Sequence, residues 1–391
     1  MPIAILALAI GAFGIGLTEF VIAGILPQIA AEFNTSIPSA GLMVTSYALG
    51  VFIGTPLITI LGASIPRKTM LITLAVIFTL GNIITATAPT LDIAIIGRVI
   101  TSFNHGAFFG IGSIIAASLV APGRQASAIA FMFSGLSLAN LVGVPVGTWL
   151  AQIFSWRVAF WGIAGIGLLT IISIVLLLPY IEKGKSIPLR TELRAFVDPQ
   201  VLLAMGITVF GPAATFTSIT YIAPMMIEMA GFSATSIAWL MVLFGLGLVV
   251  GGWIGGRFAD RSLFGTLFFT LAAQGIVLLI FWIGVENPVV ASASVFLMAV
   301  FAFATVSPIQ KLVMDRASQA GAPTMASSVN IGMFNLGNAV GAWVGGATIS
   351  AGFSLASPNW AGAILSFIAL ALAYFAWLSA RKDYSQPAGS Y

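Results

Sequence analysis

Long, uninterrupted apolar runs follow one another along this chain of 391 residues, separated by short polar stretches. Each run is about as long as a helix that crosses the hydrocarbon core of a bilayer. Strands of a membrane barrel alternate apolar and polar residues, whereas these runs are apolar throughout, so we predict helices. Twelve spans are predicted, at 3–26, 38–60, 69–88, 91–118, 127–150, 157–180, 201–224, 235–256, 264–284, 288–310, 324–349 and 359–380.

Composition indicates that lipid is the main solvent of this chain. Hydrophobic residues make up 59% of it and charged residues 7%, whereas a soluble domain carries about 25% charged residues. The net charge of +4 does not indicate nucleic-acid binding, because the basic residues are scattered between apolar runs. With no cysteine and one histidine, we expect neither disulfides nor a metal site, and no cofactor.

Basic residues predict the orientation of the spans. All of the 15 lysines and arginines except Arg98 and Arg157 lie in loops or tails on the side of the N-terminus. The acids Glu32 and Asp92 lie on the opposite side. By the positive-inside rule, both termini are cytoplasmic. The first apolar run follows no basic segment and ends at no cleavage site, so we expect an uncleaved first span.

An internal repeat predicts two pseudo-symmetric six-helix halves, 1–180 and 200–391, joined by a cytoplasmic linker at 181–199. The linker is too short for a nucleotide-hydrolysing domain, so active transport would draw its energy from an ion gradient or from a partner. Parallel halves with a binding site between them are a known transporter architecture. Residues Gly143, Gly147 and Trp149 recur 194 positions later as Gly337, Gly341 and Trp343.

Two charged residues lie well inside predicted spans, Glu19 in the first and Arg98 in the fourth. Each costs roughly 2.5–3.5 kcal/mol at the centre of a helix, so such residues are usually functional. Both lie seven residues from the outer end of their spans, about 10 Å below the surface. Equal depth allows a direct or water-bridged pair, although Arg98 would also serve as a purely structural anchor.

The fourth span carries a polar stripe. Arg98, Thr101, Ser102 and His105 follow the spacing i, i+3, i+4 and i+7, which is one helical face. Lipid disfavours such a face, so it should meet a cavity or a partner helix. His105 lies near the bilayer centre, where it would either relay protons or hydrogen-bond a neighbouring helix.

Neutral polar and aromatic side chains within the spans are candidates for a substrate cavity. The alternative is that they join helices by hydrogen bonds, each worth about 0.6 kcal/mol. The predicted cavity residues are Phe20, Thr101, Ser102, Asn140, Ser218, Tyr221, Asn335 and Asn338.

Three features resemble the major facilitator superfamily. Segment 256–261, GRFADR, resembles its signature between the second and third spans of a half. The first-half copy keeps basic residues but has Ala63 where an acid is expected, and segment 143–148, GVPVGT, resembles the span-five signature of the antiporter branch. Arg98 lies where the superfamily has an arginine. The resemblance implies gating roles for Arg67, Lys68, Gly143, Pro145, Gly147, Asp260 and Arg261.

Segments 18–27 and 105–110, TEFVIAGILP and HGAFFG, resemble the bacterial twelve-span drug:proton antiporters. Within them the chain is similar to the AraJ-type sugar or arabinose-polymer efflux permeases and to chloramphenicol exporters. The resemblance implies the all-α major facilitator fold, a monomer in the bacterial inner membrane, and proton-coupled efflux of small amphipathic drugs or sugars by alternating access. Glu19 would accept the proton, and Arg98 would modulate its pKa.

Other functions stay open at this point. A proton-coupled importer or passive facilitator of a small polar metabolite would use the same fold and the same carboxylate. An intramembrane enzyme is disfavoured, because we find no paired carboxylates at catalytic spacing and no H-E-x-x-H. A sensor or scaffold would need an output domain, which the short loops do not supply. We predict a transporter whose partners are the lipid bilayer, a small-molecule substrate and protons.

Overall fold

The computed structural model describes residues 3–62, 65–121, 124–180, 199–319 and 323–385. Residues 181–198 of the predicted linker therefore lie outside the described residues, as does Ala63. Up to residue 180 the helices are α1 (Ala4–Glu32), α2 (Ile37–Gly62), α3 (Arg67–Thr87), α4 (Leu91–Ser102), α5 (His105–Ser118), α6 (Gln125–Leu138), a π-helical segment (Ala139–Gly143), α7 (Val144–Ile153) and α8 (Trp156–Leu177).

The helices after residue 198 are α9 (Pro199–Ile219), α10 (Ile222–Glu228), α11 (Ser236–Ala259), α12 (Leu263–Gly284), α13 (Pro288–Ala304), α14 (Val306–Gln319), α15 (Pro323–Ser350) and α16 (Ser357–Ser385). The prediction of an all-α membrane fold is confirmed.

Among the described residues, 11 helical segments are long and apolar enough to cross a membrane. The pairs α4–α5, α9–α10 and α13–α14 each form one such segment, as do α6 and α7 with the π-helical segment between them. Helix α15, predicted as the eleventh span, is not among the 11. It has the length of a span, but asparagines and glycines lower its mean hydropathy.

Several helices begin at polar residues between the apolar runs, and the side chains of these residues cap the helix. Thr90 accepts from the Ile93 N–H at the start of α4, and Ser262 accepts from the Gly265 N–H at the start of α12. Asn287 accepts from two N–H groups before α13, whose first residue is Pro288. These oxygens satisfy backbone donors that have no partner inside the helix.

The breaks within spans shape the site. Helix α4 ends at Ser102 and α5 begins at His105, so the polar stripe predicted for the fourth span does not run along one continuous helix. Before α7, the Val144 N–H donates to the Ala139 carbonyl, five residues back. Pro145 has no N–H to donate to the carbonyl of Leu141, which accounts for the irregular turn there.

Glycines let two helix pairs pack backbone against backbone. A Cβ added at Gly337, Gly341 or Gly345 of α15 would collide with successive carbonyls of α9. Glycines of α11 at the same four-residue spacing, Gly247 and Gly251, approach the backbone of α13 in the same way. Small residues at such seams favour close helix association in lipid.

Helices on the two sides of the 181–198 gap meet mainly along two seams. One joins α2 to α15, and the other joins the π-helical segment and α7 to α11. At the second seam, a Cβ added at Gly245 would lie 2.5 Å from the Asn140 carbonyl oxygen, so only glycine permits this approach. Helix α1 also contacts α10 and α11 across the same divide, and this divide contains the candidate site.

Candidate functional site

Arg98 lies at the end of α4 with none of its side chain exposed. Its Nη1 donates to the Thr18 hydroxyl at 2.8 Å, and its Nε donates to the Met43 carbonyl at 3.3 Å. The guanidinium carbon lies 4.1 Å from the centroid of the Tyr47 ring, a cation–π contact. Nη2 is buried and has no hydrogen-bond partner among the described residues. Arg98 therefore joins α4 to α1 and α2 and retains one unused donor.

Glu19 is next to Thr18 on α1, and its side chain is half-buried. Its Oε1 accepts a hydrogen bond from the Asn338 Nδ2 at 3.1 Å. Of the direct and water-bridged pairs that equal depth allows, the direct pair with Arg98 is not formed, since no ion pair within 4.0 Å joins these two described residues. Arg98 bonds the neighbouring threonine instead, and its charge acts on Glu19 electrostatically.

Tyr47 and Asn82 complete the cluster, and sequence reasoning missed both. The Tyr47 hydroxyl lies 3.0 Å from His105 Nδ1, and the Thr18 hydroxyl donates to the Asn82 Oδ1 at 2.9 Å. A neutral hydroxyl or amide within an apolar run carries no periodic signal. The only available indication is that a mid-span polar group needs a partner in lipid.

His105 is buried, with 6% of its surface exposed, and its ring meets Phe109 edge-on at 5.3 Å. Its bond to Tyr47 matches the expected hydrogen bond to a neighbouring helix. Its bonding partner Tyr47 also stacks on the Arg98 guanidinium. The Tyr47 ring therefore lies between His105 and the guanidinium.

Thr101 and Ser102 do not contribute free hydroxyls to a cavity. Thr101 donates to the Gly97 carbonyl at 2.9 Å, and Ser102 donates to the Val99 carbonyl at 2.6 Å, both within α4. Their side chains fill spaces left by Gly81 of α3 and Gly50 of α2. Helical periodicity predicted that both residues lie on a buried face of the span. That face packs against other helices and not against a cavity.

Phe20 reaches across the divide between the two parts of the chain. Its ring centroid lies 5.8 Å from that of Phe216 in α9 and 6.3 Å from that of Phe244 in α11. Phe20 is half-buried and follows Glu19 directly in the sequence. An aromatic wall therefore adjoins the carboxylate.

The remaining predicted cavity residues are buried, and several have unused oxygen atoms. Asn140 and Asn335 each donate to a carbonyl of their own helix, and the Oδ1 atom of each has no hydrogen-bond partner in the part of the chain that the structure describes. The Ser218 hydroxyl is likewise unpaired. Tyr221 differs, because its hydroxyl donates to the Ala342 carbonyl at 2.8 Å and its ring packs against Gly41 of α2.

The predicted gating residues fall into three groups. Near the end of α8, the Lys68 Nζ donates to the carbonyls of Val175 and Leu178, whereas Arg67 is the first residue of α3. In the second part of the chain, Asp260 lies 3.9 Å from the Lys311 Nζ, and both side chains are exposed. Such an exposed pair contributes about 0–1 kcal/mol.

Arg261 lies over the Phe258 ring at 5.7 Å. The other three predicted gating residues lie at the start of α7 and are buried. Gly143 and Gly147 face side chains of α1, namely Phe13 and Leu17 together with Val21, and Pro145 lies between them. These positions form the packing surface of α7 on the helix that carries Glu19.

An ion pair joins helices of the first six spans at the end opposite Lys68. The Arg157 Nη2 lies 2.8 Å from the Glu32 Oε1, and Nη1 of the same guanidinium donates to the Ala86 carbonyl. The Trp156 indole N–H donates to the Glu32 Oε2. Within the described ranges, no group of three His, Cys, Asp or Glu side chains that could hold a metal is present.

The family model and the similar proteins all indicate one family of membrane transporters. Residues 8–331 match the Major Facilitator Superfamily. The chain is 44% identical over 379 residues to the "Inner membrane transport protein YdhP" of Escherichia coli, covering 97% of this chain and 96% of that protein. It is 34% identical to the "Putative transporter AraJ" of E. coli, covering 94% and 93%. It is 31% identical to a "Chloramphenicol resistance protein" of Streptomyces lividans, covering 96% of each.

Solved structures show the same fold at low sequence identity. A bacterial homologue of the human lysosomal transporter Spinster superposes with a TM-score of 0.76 at 16% identity, covering 98% of each chain. A D-xylose–proton symporter superposes with a TM-score of 0.75 at 17% identity, covering 95% of this chain and 96% of the other. The predicted resemblance to AraJ-type and chloramphenicol-resistance proteins is confirmed.

Proposed function

The chain belongs to the Major Facilitator Superfamily and is a multi-pass membrane transporter, and from this membership we propose that it exports small amphipathic compounds in exchange for protons. In this proposal the halves 1–180 and 200–391 move against each other about the Glu19 region. Both termini face the cytoplasm, in keeping with the placement of the basic residues.

The observation that carries the proposal is the position of Glu19. This carboxylate accepts a hydrogen bond from Asn338 on the far side of the divide, while buried Arg98 is held behind it through Thr18. A group that binds and releases a proton can drive transport only if both halves respond to it. Glu19 is bonded across the halves and adjoins the aromatic wall of Phe20, so it meets that requirement.

The walls of the site favour a neutral compound with an aromatic or apolar body and a few hydroxyl or amide groups. Phe20, Phe216 and Phe244 supply apolar surface. The unpaired oxygens of Asn140 and Asn335 are acceptors for such groups. The relative from S. lividans is named for chloramphenicol resistance, and chloramphenicol has this chemistry, so it is the probe of choice.

The proton gradient would supply the energy. A proton that moves inward down 100 mV releases about 2.3 kcal/mol. Substrate that enters between Glu19 and Asn338 would change the surroundings of the carboxylate, and a charged Arg98 nearby makes those surroundings strongly dependent on geometry. Substrate and proton would then occupy Glu19 in turn.

Reconstitution tests this proposal. Proteoliposomes with an imposed proton gradient should accumulate chloramphenicol against its own gradient, and Glu19→Gln should abolish accumulation. Glu228→Gln, which alters an exposed acid at the end of α10, should transport like the wild type. Uphill transport by Glu19→Gln at the wild-type rate would refute the role assigned to Glu19, and movement of chloramphenicol in the same direction as protons would show an importer.

A further inference from the structure

Asn338 differs from the other asparagines of α15 because its amide bonds a residue of the other half. Asn335, one turn earlier, donates to the Ile331 carbonyl of α15 itself. Asn338 is 7% exposed, and its Nδ2 donates to the Glu19 carboxylate on α1. This bond joins the candidate proton carrier to a helix of the other half.

We propose that the bond between Asn338 and Glu19 is a lock that keeps the empty, deprotonated transporter from changing conformation. The inference rests on the proposed function and adds a positioning residue to it. An exchanger must not reorient when it carries neither substrate nor proton, because reorientation in that state lets each move without the other.

The strength of the bond between Asn338 and Glu19 depends on whether Glu19 is ionised. An amide donates a stronger, charge-assisted hydrogen bond to an ionised carboxylate than to a neutral acid. Protonation of Glu19 therefore weakens the bond, and a substrate lodged between the two side chains replaces it. Either event releases α15 from α1, whereas the empty, ionised state keeps them joined.

The spare donor of Arg98 explains how the lock can open without stranding a buried charge. Nη2 of Arg98 has no hydrogen-bond partner within the described residues, although the rest of the guanidinium is engaged. Since Arg98 is bonded to Thr18 in the same half as Glu19, its charge stays with the carboxylate when Asn338 moves away. Glu19 thus has a hydrogen-bond partner in the other half and a compensating charge in its own.

Few titratable groups other than Glu19 itself can affect the bond between Asn338 and Glu19. Arg98 acts on Glu19 electrostatically, the Tyr47 ring stacks on Arg98, and His105 hydrogen-bonds Tyr47. Helices α6 and α7 and the π-helical segment, which pack on α1, contain no titratable side chain. On α8, Arg157 is paired with Glu32, 13 residues from Glu19 along α1.

The other half brings no charge to Glu19. Helices α9 and α11 place Phe216 and Phe244 against Phe20, the residue after Glu19, and α15 places Asn338 on Glu19 itself. None of these three side chains titrates. The charged residues of α10 and α11, Glu228 and Arg257, lie in the last turns of those helices. Asn338 is therefore the link through which the second half responds to the charge on Glu19.

The same end of the molecule shows other contacts across the divide. Tyr221 packs against Gly41, and a Cβ added at Gly346 would lie 3.5 Å from Pro38. The chain contains no cysteine, so single cysteines can be labelled without background. Exposed Ala31, at the end of α1, and exposed Ala351, just after α15, are suitable sites at this end.

Electron–electron distance measurements between spin labels on Ala31→Cys and Ala351→Cys test the lock without any substrate. At alkaline pH, the label pair should be close. Asn338→Leu, which has the same branching at Cγ and no amide, should raise the ratio of separated to close labels roughly tenfold to hundredfold, the factor that corresponds to a hydrogen bond to a charged group. Glu19→Gln should give a similar shift.

The double variant decides between a lock and a general loosening. If the bond is the cause, Asn338→Leu combined with Glu19→Gln should shift the distances no further than either change alone. Asn330→Ala, which removes a buried amide from the same helix, should keep the wild-type distances, because Asn330 bonds Thr208 and Gln310 within its own half. Wild-type distances in Asn338→Leu, or additive shifts in the double variant, would overturn the inference.

Failure of the lock can be distinguished from failure of the proposed function. If wild-type protein accumulates chloramphenicol and Asn338→Leu does so equally well with unchanged distances, the lock is wrong and proton-coupled export stands. If Glu19→Gln accumulates chloramphenicol like the wild type, proton-coupled export through Glu19 is wrong, whatever the labels show.

Discussion

Replacing Thr18 by valine tests the structure of the buried cluster most sharply. The Thr18 hydroxyl accepts from Arg98 Nη1 at 2.8 Å and donates to Asn82 Oδ1 at 2.9 Å, and no part of Thr18 is exposed. Valine has nearly the same shape, so packing is conserved while both hydrogen bonds are lost. The guanidinium would then have two buried nitrogens without partners instead of one.

The magnitude follows from the charge of the donor. A neutral hydrogen bond between helices in lipid contributes about 0.6 kcal/mol. A hydrogen bond to a charged group contributes about 1.5–3 kcal/mol. Because Thr18 makes one bond of each kind, Thr18→Val should reduce the free energy of unfolding by about 2–4 kcal/mol, and the charged bond dominates the loss.

The assay is unfolding by a denaturing detergent, followed by circular dichroism, with Thr45→Val as the matched control. Thr45 lies in α2 with 8% of its surface exposed, and its hydroxyl has no hydrogen-bond partner among the residues that the structure describes. Thr45→Val should therefore change the stability by less than about 0.5 kcal/mol. Equal stability of the two variants would show that Arg98 is not held by Thr18.

Two further substitutions test the packing and the histidine contact. Gly341→Ala should destabilise the protein by about 1–3 kcal/mol through overpacking, because its Cβ would collide with the Ala213 carbonyl, whereas Gly162→Ala, with nothing nearby, should fold normally in the same unfolding assay. Tyr47→Phe keeps the ring over Arg98 but removes the bond to His105, so it should cost about 0.5–1.5 kcal/mol; the nuclear magnetic resonance signal of the imidazole should shift, and an unchanged signal would exclude the bond.

The membrane fold could be predicted from the sequence because its cause is local. Every backbone polar group in lipid must be satisfied within a helix, so each span is marked by its own apolar run. Helix α15 shows the limit of this reasoning. It contains three asparagines, and the partners of Asn330 and Asn338 are distant in the sequence, so its apolar signal is weak although it has the length of a span.

The candidate site was only partly predictable. Charge inside a span identified Glu19 and Arg98, and helix geometry placed them at similar depth. Their relationship through Thr18 could not be foreseen, because it depends on how three helices cross. Thr101 and Ser102 show the converse, since periodicity marked a polar face without revealing that Gly81 and Gly50 receive it.

The pseudo-repeat adds a comparison that neither half reveals alone. In the first half Thr18 of α1 bonds an amide on α3, and in the second half Thr215 of α9 accepts from the Gln274 amide on α12 at 2.7 Å. The two bonds join corresponding spans. Arg98 bonds Thr18 of this pair, and Glu19 follows Thr18 directly in the sequence, in the first half only.

Proton release upon substrate binding tests the central claim most directly. Purified protein in weakly buffered detergent solution, titrated with chloramphenicol, should release protons in a saturable manner that follows binding, and Glu19→Gln should bind without release. Release of the same size from Glu19→Gln, or binding to the wild type with no release at any pH, would contradict the assignment of Glu19 as the carrier of the exchanged proton.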